Sequence, residues 1–345
     1  PQSVAQAVVA DAQADAASAP GQYLPAPAVY LDACTAAIAA AELAEPRWLG
    51  ALRRDGADRL AATGFPTTRN EDWHYTSTAP IAEAAFPTLP EASGDVSVDD
   101  LAPFGFGQAD WPTLVFVNGR YDARLSNALG GGALPEGVRA LPLARALREE
   151  PELLERHLGR IAPAEGQPFT ALNTALLQDG AVVVVGKEME ADRPLHLLFV
   201  VDPHGARTAM HPRNLVVAER HSKLTVIESY VALGEASYFT NAVTEIEIGD
   251  GATVHHLKLQ QESPRAFHVG TVEARQGRDS HLVQFAFATG ASLSRTNVLT
   301  ILGGDGCGAT LNGLYLLDGD QHCDHQTRIE HARPNCYSRE VYKGI

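Results

Sequence analysis

The sequence predicts a mainly β protein, a parallel β-helix preceded by a helical and mixed N-terminal region, and three observations carry that prediction. Helix signals fade at Gly180. From Ala181 onward, short Val, Ile, Leu, Thr and Tyr runs alternate with Gly, Asp and Ser turns. The runs also recur: stretches opening at Asn214, Asn241, Val269 and Asn297 begin 27, 28 and 28 residues apart, and a fifth unit starts at His325. Each unit reads as strand, polar turn, strand, loop. One such rung cannot bury its apolar face alone, whereas stacked rungs bury a continuous core. Because three units open with asparagine, Asn214, Asn241 and Asn297 are expected to stack as an amide ladder at one corner. A large antiparallel sandwich is the alternative, but its hairpin spacing would drift.

The segments fall in order along the chain. Residues 1–28 are rich in Ala, Gln, Ser and Pro and read as a flexible arm; with no basic stretch leading into an apolar one, they are not a secretory signal, and the missing initiator Met suggests a processed or trimmed start. Residues 29–180 form the helical and mixed region. "LDACTAAIAAAELA" is helical, Pro46 restarts a helix carrying Trp48, Leu52 and Leu60 on one face, and Gly64 is placed to end it. "PTLVFVNGRYDARLS" is a hairpin turning at Asn118-Gly119. "LARALREEPELLERHLGRI" is helical, and "FTALNTALLQDG" reads as a short amphipathic helix closed by Gly180. Residues 181–345 are the β-helix, incomplete at its C-terminal end, so an open last rung is expected through which two copies can pair.

Composition narrows the function. With 27 basic and 42 acidic side chains, the net charge of −15 argues against a non-specific grip on nucleic acid or anionic membrane. No apolar run approaches membrane-span length. The four cysteines, Cys34, Cys307, Cys323 and Cys336, form no CxxC pair and no disulfide framework, which fits a reducing, cytoplasmic setting.

The stretch "GFPTTRNEDWHYTS", with Gly64, Pro66, Thr67, Arg69, Glu71, Trp73, Tyr75 and Thr76 in a pattern G-x-P-T-x-R-x-E-x-W-x-Y-T, resembles the SufD branch of the SufB/SufD family of the SUF iron–sulfur cluster assembly system. "LVFVNGRYDARLS" and "FTALNTALLQDGAVVVV" are similar to further family segments, and "QHCDHQTRIEHARPNCYSREVYKGI" resembles the shared stretch in which His322, Asp324, Thr327, His331, Ser338 and Tyr342 to Gly344 recur. The resemblance covers Glu45 to Ile345. It implies a right-handed parallel β-helix that pairs with a SufB-like subunit and binds a SufC-like ATPase. In that role the protein is a scaffold without catalysis of its own and without a tightly bound cofactor, and iron or iron–sulfur clusters are handled by the complex. Family members continue past the Tyr-Lys-Gly element, and the histidine implied in iron handling lies beyond Ile345.

Candidate site residues cluster in two places. His322, Asp324, His325, His331 and Cys336 offer imidazole, carboxylate and thiolate groups of the kind that bind zinc or iron. Alternation along a strand, however, sends His322 and Asp324 to one face and Cys323 and His325 to the other, so hydrogen bonding across a corner and toward a partner is the favoured reading. Arg69, Glu71, Trp73 and Tyr75 form either a binding patch or a clasp onto the solenoid, and Tyr342 and Lys343 belong to the shared C-terminal motif. His255 and His256 point to opposite faces and read as ordinary strand histidines. The glycines of "GGDGCGA" have no following Lys and read as a rung turn rather than a phosphate cradle. Two other functions compete. A polysaccharide-acting β-helix enzyme would need paired acids recurring at matched unit positions, and a cupin-like metal enzyme using His322, His325 and His331 would not explain the long period.

Overall fold

A computed structural model describes residues 21–88, 95–108, 110–127, 134–202 and 208–345. Most of the N-terminal arm, residues 1–20, lies outside the described residues; after it, Tyr23–Leu24 pairs antiparallel with Phe65–Pro66.

The chain is a two-faced parallel solenoid with helices packed on one face. Successive strands alternate between two eight-stranded sheets. One face stacks Ala181–Val185, Arg213–Ala218, Phe239–Ile248, Phe267–Gln276, Leu293–Leu302 and His322–Glu330; the other stacks Leu195–Val201, Lys223–Ala232, Thr253–Glu262, His281–Gly290, Gly308–Leu316 and Tyr337–Gly344. Every step within these stacks is parallel. Alternation then sets the faces. Inward residues such as Val226, Ile246, Val254, Val272, Leu282, Val298 and Leu311 fill the core between the sheets.

The hairpin also forms. Thr113–Val117 and Arg120–Tyr121 pair antiparallel across Asn118 (φ 48°) and Gly119 (φ 80°), the left-handed pair that a two-residue turn demands. Thr113–Val117 adds in parallel to Leu195–Val201, and Val138–Pro142 adds antiparallel to Ala181–Val185, so both sheets begin upstream of residue 181.

Helices Ala28–Ala44 and Arg47–Thr63 break at Pro46 and end at Gly64, whose φ of 75° suits a residue without Cβ. Pro168–Leu176 departs from expectation: it is buried on every side rather than amphipathic. It is enclosed by helix Arg47–Thr63 and by the solenoid's outer face, and contact is close enough that a Cβ on Gly56 would lie 2.7 Å from the Ala171 carbonyl oxygen.

The asparagine ladder does not form. Asn214 sits opposite Thr244, Asn241 opposite Val269 and Asn297 opposite Thr271, three different register columns. Asn214 faces inward, while Asn241 and Asn297 face out and bond to the Phe169 carbonyl and Arg295. The cause is slippage of the repeat. Register partners are separated by 30 residues from Arg213 to Val243, 28 from Phe239 to Phe267, 26 from Phe267 to Leu293 and 29 from Leu293 to His322. A one-residue slip reverses the face.

The corner that does repeat is a column of left-handed residues: His221, Gly251, Asp279, Gly306 and Asn335, all with φ between 53° and 76°. Their N–H groups donate to the turn of the next rung, from His221 to Asp250 (2.8 Å), Gly251 to Arg278 (2.7 Å), Asp279 to Asp305 (2.8 Å) and Gly306 to Pro334 (3.3 Å). Gly, Asn and Asp are the residues that tolerate this conformation best. Each is followed by a small residue: Ser222, Ala252, Ser280, Cys307 and Cys336.

Candidate functional site

Two constellations stand out, one on the outer face and one between the sheets. The outer one is built by the stretch after Gly64. Thr67 bonds back to the Gly21 and Gln22 carbonyls, and Asn70 accepts from the Asp72 N–H to start a single 3-10 turn, Glu71–Trp73. That turn presses Trp73 between Phe169, with ring centroids 5.2 Å apart, and the Arg295 guanidinium, 3.9 Å from the ring centroid. Arg295 is held in place by an ion pair with Asp324 and by bonds to the Asp72 carbonyl (2.6 Å) and Asn297 (2.9 Å). Thr76 completes the join: its hydroxyl donates to Asp324 (2.5 Å) and lies 3.0 Å from His322 Nε2, which donates in return. Arg69, Glu71 and Tyr75 remain on the surface, Tyr75 82% exposed with its ring edge-on to His74.

The remaining residues of the His- and Cys-rich stretch are dispersed. His322 and Asp324 belong to this outer clasp. His325 occupies the inward column after Thr296, between the Tyr315 and Tyr342 rings, and burial holds its imidazole down at about 4. His331 lies beyond the strand and bonds to Ser338 (3.1 Å), while Cys336 sits in the corner column with its sulfur on the Gly304 carbonyl (3.3 Å). Among the described residues no group of three or more His, Cys, Asp and Glu side chains is placed to hold a metal ion. Lys343 is exposed and Tyr342 half-buried against Gly313.

The constellation between the sheets was not anticipated. Glu228, fully buried, accepts from Tyr230 (2.6 Å), Thr244 (2.7 Å) and His256 Nε2 (3.0 Å). Burial alone would raise its carboxyl, but the hydrogen bond and charge of His256, with Tyr230 and Lys258, outweigh it and hold the group down at about 2. Beside it Lys258 donates to His268 Nε2 (2.7 Å), and His268 Nδ1 donates to Glu262 (2.7 Å), which also accepts from Thr240 (2.8 Å) and Gln260 (3.2 Å). This order requires a neutral His268, and burial together with the Lys258 charge lowers that imidazole. Gly270 makes the arrangement sterically possible, since a Cβ there would come 2.9 Å from Lys258 Cε. Farther along, the buried Gln284 amide and the His325 ring nitrogens have no hydrogen-bond partner among the described residues.

His256 is thus no isolated strand histidine, because its partner lies 28 residues away on the preceding rung. Reading inward positions at the spacing of the repeat would have found it. The interior carboxylates Glu228 and Glu262 each accept hydrogen bonds from several neighbouring side chains.

Buried titratable groups give a pH profile. His196 and His211, at 2% and 1% exposure, are held by burial at about 4 and about 3. Below about 6.5 the unfolded chain takes up protons that these folded imidazoles refuse, so their contribution to stability is complete above that pH and is lost as pH falls toward 4. Glu273 opposes them: burial raises its carboxyl to about 7, so it favours the folded state at low pH and disfavours it as pH rises through 7. The unfolding free energy from urea titrations is expected to fall between pH 6.5 and 4.5, by up to about 1.4 kcal/mol per pH unit for each histidine. Glu273→Gln should steepen that fall, and an unchanged slope would refute the assignment.

Comparison with known proteins extends these observations. Residues 199–345 match the family model described as SUF system FeS cluster assembly, SufBD core domain, and residues 27–197 match the SufBD protein N-terminal region. A SufBD family iron–sulfur cluster assembly protein of Synechocystis is 31% identical over 305 residues, covering 85% of this chain and 65% of that protein. The iron–sulfur cluster assembly protein SufD of Escherichia coli is 27% identical, covering 83% of this chain and 64% of its own length, and SufD of Bacillus subtilis is 25% identical, covering 83% and 65%. The chain therefore spans just under two thirds of the length of these relatives. Among the described residues no helix is long and apolar enough to cross a membrane.

Proposed function

The chain belongs to the SufBD family of the SUF system of iron–sulfur cluster assembly, and on that premise we propose that it acts as a scaffold subunit rather than as an enzyme. In this reading it works in the cytoplasm, pairs with a SufB-like subunit and binds a SufC-like ATPase. Iron and nascent clusters are cargo of the complex, not a resident group of this subunit.

The observation that carries the reading is the use of the family motif. Trp73 and Thr76 are engaged by the chain's own Arg295, His322 and Asp324, so the motif builds architecture rather than a reaction centre. Its exposed members Arg69, Glu71 and Tyr75 are left to meet a partner, and aromatic and Arg side chains are common anchors of such contacts. The last rung, from His322 to Tyr342, forms part of the SufB-like contact or borders it.

Co-expression with the SufB-like and SufC-like proteins of the same organism tests the proposal. One co-eluting complex is expected, with ATP hydrolysis following the SufC-like subunit. His331→Ala, which removes the bond to Ser338, should weaken pairing by roughly threefold to tenfold, the equivalent of one hydrogen bond. Elution apart from both proteins, or cleavage of polyuronate by the purified chain, would overturn the reading.

A further inference from the structure

We propose that Cys307 and Cys336 are a redox pair that closes a reversible disulfide across the last two rungs. Both belong to the corner column of small residues that follow the left-handed position, after Ser222, Ala252 and Ser280. Backbone pairing fixes them side by side: the Tyr337 N–H donates to the Cys307 carbonyl (3.0 Å), and Gly308 stands opposite Tyr337 in the strands that follow. Neighbouring strands lie about 4.8 Å apart, inside the range of about 4.4–6.8 Å between Cα atoms that a disulfide spans. The side chains converge as well. Both sulfurs rest on one carbonyl, that of Gly304, at 2.9 Å for Cys307 and 3.3 Å for Cys336. One rung earlier, the equivalent step already brings Ser280 Oγ within 4.0 Å of Cys307 Sγ.

The other two cysteines are placed differently. Cys34 is buried in helix Ala28–Ala44 and Cys323 faces the interior beside Ser294, and burial pushes both thiols up to about 12. Cys336 is the partly exposed member of the pair, while Cys307 is fully buried with its thiol raised by burial. The order of events follows from thiolate reactivity and access. With hydrogen peroxide as oxidant, the Cys336 thiol gives up its proton, the thiolate attacks one peroxide oxygen, the O–O bond breaks, and the leaving hydroxide takes up that proton, so that a sulfenic acid and water result. The Cys307 sulfur then attacks the Cys336 sulfur, the S–OH bond breaks, and hydroxide leaves with the Cys307 proton as a second water. Two thiols lose two electrons and two protons in total, and one peroxide gains them.

The reduced, purified chain is treated with hydrogen peroxide, blocked with N-ethylmaleimide and mapped as peptides without reductant. The expected product is a peptide linking Cys307 to Cys336 within one chain, an intact mass lower by two hydrogens, reversal by dithiothreitol, and a higher unfolding temperature for the oxidised form. Cys307→Ser provides the control, because serine fills the same column at Ser222 and Ser280, so the fold is retained. That variant should accumulate a dimedone-reactive sulfenic acid at Cys336. Over-oxidised Cys336 without linkage in the wild type, or Cys336 linked only to another chain, would overturn the proposal.

Discussion

Replacing Glu245 by alanine is expected to lower the unfolding free energy by about 3–5 kcal/mol, the cost of leaving a buried charge without its partner. Arg213 and Glu245 are both 0% exposed, with the guanidinium donating to one carboxylate oxygen at 2.9 and 2.6 Å. The same carboxylate accepts from the backbone N–H groups of Gly159 (2.8 Å), Ile161 (2.9 Å) and Ala162 (3.0 Å). Arg213 in turn reaches Asn173, Thr174 and the Ala162 carbonyl. One ion pair thus joins two rungs, the segment before helix Pro168–Leu176, and the helix itself. The double substitution Arg213→Met with Glu245→Leu should recover much of the loss, since it leaves no lone charge. Urea denaturation followed by tryptophan fluorescence measures both, and a single-mutant loss below about 1 kcal/mol, the scale of an exposed pair, would show the pair to be solvated.

Trp73→Ala should cost about 3–5 kcal/mol as well, the range for a large aromatic removed from a packed site. Trp73 is the centre of the outer clasp, and its loss strips Phe169 of a tilted ring contact and Arg295 of the ring beneath it. The effect should spread in a defined direction. Thr76 lies three residues on, so amides around Asp324 in the last rung should exchange faster in Trp73→Ala than amides around Val226 in the middle of the solenoid. Trp73→Phe keeps an aromatic ring and should lose far less. Equal exchange at both places would refute the idea that the clasp anchors the last rung.

The period of the solenoid was legible because apolar alternation repeats wherever rungs stack. Its phase was not. Turns of unequal length absorb residues between rungs, so the asparagines that open the units in sequence land on three columns in space. The repeat that keeps its phase is conformational: His, Gly, Asp, Gly and Asn share a left-handed backbone without sharing a side chain, and a search for one recurring letter passes over it. The alternation argument also separated His322 and Asp324 from Cys323 and His325 correctly. What it could not supply was Arg295, the cation between Trp73 and Asp324, because nothing local to either motif points to a residue more than two hundred positions from the tryptophan. The interior acids and bases were hidden for a different reason. Glu228, Lys258 and His268 are residue types of the surface, and only the fold shows that Glu228 and Lys258 lie side by side on neighbouring strands with His268 reaching Lys258 from the opposite sheet.

The bond between Thr76 and Asp324 spans 248 positions, and that separation has a meaning in time as well as in space. During synthesis each new strand finds its neighbour on a rung already made, so the solenoid grows by local additions in the order of translation. The outer clasp breaks this order. Its tryptophan and threonine leave the ribosome before any strand of the solenoid is made, and the arginine and aspartate that receive them follow more than two hundred positions later. The motif must wait while every strand from Thr113–Val117 onward is made, and it finds its partners only when Leu293–Leu302 and His322–Glu330 bring Arg295 and Asp324.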